Sequence, residues 1–119
     1  MTTVGLVSFD GKDEENLVAG HYSRGRGPVL RSDQMELTKI TFDAGEGADM
    51  HQHPEEQILY VLAGVLEVTV GDETYEVHPG QASFHPSNVW HRAVARERTT
   101  ALSFKNLVAP NYEKTGELH

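Results

Sequence analysis

From residue 35 onward, hydrophobic and polar positions alternate in short runs that end at Gly, Pro, Asn or Asp. A two-residue period rich in β-branched and aromatic side chains is typical of strands, and a segment such as GDE (71–73) is typical of a hairpin turn. The predicted strands lie at residues 35–42, 57–64, 65–70, 74–77, 82–85, 91–95 and 101–108. Many short strands with frequent turns predict an all-β sandwich or barrel.

The pattern divides the 119 residues into three parts. Residues 1–34 are predicted to form an N-terminal extension and loop that contributes one or more strands, residues 35–109 the barrel, and residues 110–119 a polar tail. Gly and Arg in SRGRGP (23–28) favour a mobile loop, and helix is expected only near residues 12–19. A chain of this length fits one domain with one hydrophobic core.

The run ILYVLA (58–63) is apolar on both of its alternating faces. One face carries Leu59, Val61 and Ala63, which are expected to point into the barrel; the other carries Ile58, Tyr60 and Leu62. A strand that is covered on one side only should alternate with polar residues. We therefore expect a second cover, either the other sheet or another subunit, and we favour a homodimer.

The segment HQHPEEQ (51–57) is the strongest candidate for chemistry. His51 and His53 are two residues apart, so on an extended strand both side chains leave the same face. If Gln57 opens the next strand pointing inward, two imidazoles and a carboxamide oxygen meet, a ligand set that suits first-row transition metals. His91, which begins a later strand, is the best candidate for a fourth ligand. A lone His-x-His pair, by contrast, is more often a surface or core feature.

The spacing of further residues around this segment supports its interpretation as a metal site. Gly45, His51, His53, Gln57 and Gly64 follow the pattern G(x5)HxH(x3–4)E(x6)G, with Gln in the position of Glu. This is the first of two motifs by which the sequence resembles the cupin family of small β-barrels.

The second motif has the pattern G(x5)PxG(x2)H(x3)N. Gly80, Pro86 and His91 match it, whereas Asn88 replaces Gly and Ala95 replaces Asn. Asn tolerates a left-handed backbone nearly as well as Gly, so the turn should persist. The two motifs span residues 45–95.

The resemblance implies a double-stranded β-helix, the jelly-roll cupin barrel. It also implies one divalent transition metal ion per subunit (Zn, Ni, Fe or Mn), held at the wide mouth of the barrel by His51, His53, Gln57 and His91. Three imidazoles and a carboxamide carry no net charge, so the ion would keep its full charge and prefer anionic ligands. Such a site would act as a Lewis acid but has no carboxylate ligand to serve as a base.

Proton transfer would therefore fall to another group. His85, one residue before the Pro86 turn, is expected close to His91 and is the first catalytic candidate, although a surface histidine on an edge strand is the plainer interpretation. Tyr60 is the second candidate, although it alternates to the face opposite Gln57 and is expected in a second layer or an interface.

Four further residues are candidates for the substrate pocket. Trp90 could cap the pocket mouth or simply pack. Arg31 could bring positive charge to an anionic substrate if the N-terminal segment folds over the mouth, although a solvated loop charge is the simpler interpretation. Phe42 and Phe104 are core aromatics unless they line the pocket.

Composition excludes several classes of protein. The net charge of −8 argues against nucleic-acid binding, since phosphates require a basic patch. The absence of cysteine excludes disulfides, zinc–thiolate sites and cysteine nucleophiles. No apolar run is long enough to span a membrane and no signal peptide is recognised, so we expect a cytoplasmic protein.

Three functions remain for comparison. The first is a Lewis-acid metalloenzyme, an isomerase, cyclase or lyase acting on a small oxygenated metabolite that carries a carboxylate. The second is a non-haem metal-dependent dioxygenase. The third is a small-molecule-binding domain without turnover. Because fold does not determine reaction, the sequence leaves the substrate and the metal open.

Overall fold

The structure is a computed structural model that describes residues 5–10, 15–16 and 23–108. The described residues form short strands and no helix, and therefore contain no helix long and apolar enough to cross a lipid bilayer. The strands are β1 (Glu15–Asn16), β2 (Arg26–Gly27), β3 (Val29–Arg31), β4 (Met35–Phe42), β5 (Gly47–His51), β6 (Gln57–Ala63), β7 (Leu66–Val70), β8 (Glu73–Val77), β9 (Ala82–His85), β10 (His91–Ala95) and β11 (Thr99–Asn106).

The strands form two antiparallel sheets. A seven-stranded sheet has the order β1-β2-β4-β11-β6-β9, with β3 also beside β4, and a four-stranded sheet has the order β5-β10-β7-β8. The chain passes repeatedly from one sheet to the other, as in a jelly roll. The all-β double-stranded β-helix predicted from the sequence is confirmed.

Apolar side chains on the inner faces of both sheets form the core. It includes Ile40, Phe42, Leu59, Val61, Leu66, Val68, Val77, Ala93, Ala95 and Ala101. Strands with one face buried and one exposed produce the alternating pattern that the sequence shows. The core therefore fills the space between the two sheets, and inward-facing positions at its open end can be polar.

A row of four polar side chains crosses the inner face of the larger sheet at one end. Glu36 on β4 is the register partner of Lys105 on β11, Lys105 is the partner of Gln57 on β6, and Gln57 is the partner of His85 on β9. All four point inward, because each lies two positions from a buried residue of the same strand and therefore on the same face. We call these four residues the polar row.

The N-terminal segment differs from the expected mobile loop. Ser23 bridges Ala48, and residues 26–27 pair as β2 with β4. A Cβ atom at Gly27 would collide with the carbonyl oxygen of Lys39, so this glycine permits close backbone approach rather than flexibility. Of the stretch 12–19, where helix was expected, only Glu15–Asn16 is described, and it is a strand. The rest of that stretch and the tail 110–119 lie outside the described residues.

Strand β6 confirms most of the expected alternation. Leu59 and Val61 are buried, but Ala63 is exposed because a bulge in β6 leaves Leu62 without a partner in β11 and shifts the pairing between Val61 and Ala63. Ile58, Tyr60 and Leu62 are about two-fifths exposed on the outer face of the sheet. The other sheet therefore does not cover this face, and cover by a second copy of the chain stays a prediction.

We expect Ile58→Lys to weaken self-association, because a charge on the outer face would have to be desolvated in a dimer. Sedimentation equilibrium of the wild-type protein and the variant measures this directly. Thr74→Lys, which adds the same charge to the exposed strand β8 of the other sheet, is the matched control. A wild-type protein that remains monomeric at high concentration contradicts the prediction.

Candidate metal centre

Three histidines converge at the open end of the smaller sheet. His51 ends β5, His91 begins β10, and the two are register partners in that sheet. His53 follows β5 and turns back towards them, so that one ring nitrogen of each histidine lies within 4.8 Å of the others. The ring centroids of His51 and His91 are 4.2 Å apart, and those of His53 and His91 are 4.8 Å apart.

Backbone carbonyls fix the orientation of all three rings. The Nδ1 atoms of His51, His53 and His91 lie 2.6, 2.9 and 2.9 Å from the carbonyl oxygens of residues 49, 55 and 89, respectively. A carbonyl oxygen only accepts, so each Nδ1 must carry the proton and donate it. The Nε2 atom of each neutral ring then holds a lone pair, which is the form that binds a metal.

The buried Nε2 atoms of His53 and His91 have no hydrogen-bond partner. An unsatisfied buried polar atom is costly, and two in one cluster require an explanation. A transition-metal ion would satisfy them, because neutral imidazole nitrogen is a preferred ligand for Zn, Ni, Fe and Cu. The residues present therefore fit a metal ion of the type the sequence predicted.

The electrostatic environment keeps the cluster uncharged. Burial lowers the pKa of His51 to about 3 and that of His53 to about 4, and it also lowers the pKa of His91. The positive charge of Lys105 adds to the lowering at all three rings. Neutral imidazoles at ordinary pH are available as ligands without the loss of a proton.

Gln57 adjoins this cluster from the opposite sheet. Its Nε2 donates to Ser103 Oγ at 2.8 Å, and its Oε1 accepts from His85 Nδ1 at 3.3 Å. The Gln57 side chain also opposes the lowering of the pKa of His53, which places it beside that ring. The carboxamide is therefore held at the centre, and direct ligation by its oxygen stays a prediction.

His85 is completely buried rather than on the surface. Its Nε2 is 2.9 Å from Ser83 Oγ, which in turn is 2.8 Å from the Tyr75 hydroxyl, and its ring centroid is 4.4 Å from that of His91. Burial, followed by the charges of the neighbouring histidines, lowers its pKa to about 3. Its burial and its hydrogen bond to the Gln57 carboxamide oxygen favour His85 as a positioning residue for Gln57.

The loop before β10 has the predicted backbone. Asn88 is the one non-glycine residue with positive φ among the described residues, at 61°. Its backbone N–H donates to the carbonyl oxygen of His53 at 2.8 Å, which ties the loop before His91 to the loop that carries His53. Asn in place of the motif glycine thus preserves the turn.

A small cavity of about 50 Å³, open to solvent at its mouth, lies between the histidine cluster and the polar row. Its lining includes His51, His91, Phe42 and all four residues of the polar row. Phe42 is therefore the one predicted pocket residue that reaches the cavity, at the edge of the core.

The other predicted pocket residues lie elsewhere. Trp90 is half exposed and is not among the residues that line the cavity; its Nε1 donates to the Gln52 amide oxygen at 3.2 Å when that amide is oriented to donate to Asn88 O. Arg31 and Phe104 line a second groove at the larger sheet, which shares Glu36, Gln57 and Lys105 with the cavity. Tyr60 lies on the outer face beside Ala82 and Leu102, so the geometry does not support a catalytic role for it.

Glu36 and Lys105 are the cavity residues that the sequence interpretation missed. A signal was present, because Lys105 shares the inward alternation of Ala101 and Ser103 on β11, and Glu36 that of Thr38 and Ile40 on β4. A charged residue at an inward position of a strand near a barrel mouth indicates a site.

Comparison with known proteins identifies the family. The cupin domain profile matches residues 38–107, more than half of the chain, and the chain therefore belongs to the cupin family. Its fold is similar to an RmlC-like cupin from Shewanella frigidimarina (TM-score 0.78, 21% identity, 92% of this chain and 96% of that one). It is equally similar to KdgF from Halomonas sp. (TM-score 0.77, 23% identity, 92% of this chain and 98% of that one).

Two curated proteins are related in sequence. Dimethylsulfoniopropionate lyase DddQ from Ruegeria pomeroyi is 33% identical over 75 residues, which are 62% of this chain and 37% of the lyase. The uncharacterized protein SCO3923 from Streptomyces coelicolor is 30% identical over 63 residues, 53% of this chain and 60% of that protein. The chain thus matches less than two thirds of the length of either relative.

We expect the protein to bind about one divalent ion per chain, and His53→Ala or His91→Ala to weaken binding by roughly 100-fold or more, because each removes a buried Nε2 donor. Isothermal titration with Zn²⁺ and elemental analysis measure affinity and stoichiometry. His78→Ala, at an exposed histidine, is the control. A wild-type protein that takes up no metal overturns this assignment.

The metal-free protein should lose stability as the pH falls from 6.5 towards 3. His85 has a folded pKa of about 3, against 6.5 when unfolded, so the unfolded chain binds more protons in this window and protonation favours unfolding. The slope of the unfolding free energy against pH is proportional to the difference in bound protons between the unfolded and the folded chain. His85→Gln should reduce that difference by about one proton. Urea denaturation of chelator-treated protein between pH 4 and 7 measures the slope, with His78→Gln as control; equal slopes for wild type and His85→Gln refute the prediction.

Proposed function

We propose that this cupin is a metal-dependent enzyme of the lyase or isomerase type that acts on a small, carboxylate-bearing metabolite. The observation that carries the proposal is the set of three converging histidines, of which His53 and His91 are buried and His51 and His91 line an open cavity. A divalent ion held there by His51, His53 and His91, with Gln57 as a fourth ligand, would supply Lewis-acid polarisation of a substrate oxygen.

The ligand set supports this reaction class. All four side chains are neutral, so they leave the charge of the ion undiminished and favour an anionic substrate. The relative named as a lyase acts, by its name, on a propionate, which carries a carboxylate. The match covers 37% of that protein, so it supports the reaction class and not the particular substrate.

The residues around the cavity would bind and orient the substrate. His85 and Ser103 hold the Gln57 carboxamide from two sides, so that its orientation does not depend on the substrate. Phe42 and Ile40 close the inner end of the cavity with apolar surface and exclude water. Apart from histidines, the titratable residues that line the cavity are Glu36 and Lys105, and proton transfer would fall to these or to a substrate group.

The reaction class is tested by anaerobic incubation of the metal-loaded protein in D₂O with sugar acids and β-substituted propionates. We expect deuterium incorporation next to the carboxylate or loss of the β-substituent, followed by NMR, and abolition by chelation with restoration by Zn²⁺. Turnover that requires oxygen and a redox metal would establish the dioxygenase alternative instead. Ligand binding without turnover under either condition would establish a binding domain.

Gln57→Glu tests the significance of the neutral ligand set. A carboxylate would lower the net charge of the metal site by one, so we expect retained metal but affinity for carboxylate ligands about tenfold weaker. Competition titrations with acetate on the Co²⁺-loaded proteins, read in the visible spectrum, measure the change. Gln57→Ala should weaken metal binding itself, and a variant with unchanged affinity for both metal and acetate shows that Gln57 does not ligate.

A further inference from the structure

Lys105 places a positive charge on the wall of the metal cavity. Its side chain is about nine-tenths buried, although Lys rarely lies inside a barrel. It is the one Lys or Arg side chain among the residues that line the cavity. Its register partner on one side is Gln57 and on the other Glu36.

The neighbouring carboxylate is already held by another cation. Arg31 Nε donates to Glu36 Oε2 at 2.6 Å, whereas Lys105 Nζ is 3.8 Å from Glu36 Oε1, beyond hydrogen-bond distance. Arg31 therefore holds one carboxylate oxygen of Glu36 closely, and Lys105 pairs with the other oxygen at longer range. The ammonium group retains donor capacity for a further anion, since it has three N–H groups.

The charge of Lys105 reaches the metal centre. It contributes to the lowered pKa of His51, His53 and His91, so the ammonium group and the three rings share one electrostatic environment. Burial lowers the pKa of Lys105, and the carboxylates of Glu36 and Glu55 oppose this. An anion that bound between Lys105 and the metal centre would be attracted from both sides.

We propose that Lys105 is the anchoring residue for a carboxylate of the substrate, so that the cavity selects molecules with a metal-binding oxygen at one end and a carboxylate at the other. This rests on the proposed function for the metal-binding end and adds a second, separate subsite. Glu36 stays paired with Arg31 when the carboxylate binds, so no charge is left unpaired. A neutral analogue would leave Lys105 with only its longer-range pairing to Glu36 and without a close hydrogen-bonded anion, which is a basis for discrimination.

The subsite is tested without turnover by titrating the Co²⁺-loaded protein with malonate, succinate and glutarate and with their monoamides, read in the visible spectrum of the ion. Each monoamide keeps one carboxylate for the metal but lacks the second charge. We expect at least one diacid to bind more tightly than its monoamide by roughly tenfold. Lys105→Met, close in shape and uncharged, should abolish this preference by weakening diacid affinity much more than monoamide affinity, while Lys105→Arg should restore part of it.

Three outcomes overturn the proposal: no diacid is preferred over its monoamide by the wild-type protein, Lys105→Met keeps the preference, or the variant loses affinity for diacid and monoamide equally. Retained metal content and melting temperature of the variant exclude misfolding as the cause. A protein that binds Co²⁺ and discriminates through Lys105, but turns over no substrate, would refute the proposed enzyme and leave the anchoring subsite standing. Failure to bind Co²⁺ would refute the metal centre, and the diacid preference can then be measured by calorimetry on the metal-free protein.

Discussion

The antiparallel register of β5 with β10 is the constraint on which the site depends. It sets His51 opposite His91, and an irregularity in the same pairing, between residues 91 and 93, accompanies the turn of the Asp49 carbonyl towards the His51 ring. A shift of one residue would send either imidazole to the other face of the sheet. The third histidine, His53, is positioned by the Asn88 turn. The backbone N–H of Asn88 donates to the carbonyl oxygen of His53 and so joins the loop before β10 to the loop after β5.

The two sheets contribute different chemistry to one cavity. The smaller sheet and its adjoining loop bring three neutral imidazoles whose protons are committed to backbone carbonyls. The larger sheet brings the polar row, in which an acid, a base, an amide and an imidazole lie side by side on four strands. Burial keeps the three imidazoles uncharged. The polar row instead contains the charged residues Glu36 and Lys105, whose charges are compensated together with Arg31. The cavity therefore has one wall of neutral histidines and one wall that carries charged side chains.

Sequence alone predicted the parts of this arrangement that depend on local pattern and spacing. The strand boundaries at 35–42, 82–85 and 91–95 agree with the structure because alternation and turn residues are local signals. The gathering of His51, His53 and His91 followed from motif spacing. Glu36 and Lys105 were missed, although both share the inward alternation of their strands, because alternation alone does not say which strand ends surround the cavity. That depends on pairing between strands that are distant in the chain, and this pairing cannot be read from a single sequence.

The polar row has a consequence for how such a protein can change over time. Each of its members is carried by a different strand, and each is anchored by backbone pairing that does not involve the side chain. One substitution therefore changes the lining of the cavity and the contacts with the neighbouring member of the row, while the core beneath it, from Ile40 to Val61, keeps its residues. The lining can thus diverge between descendants of one barrel without a change in the core residues that define the fold.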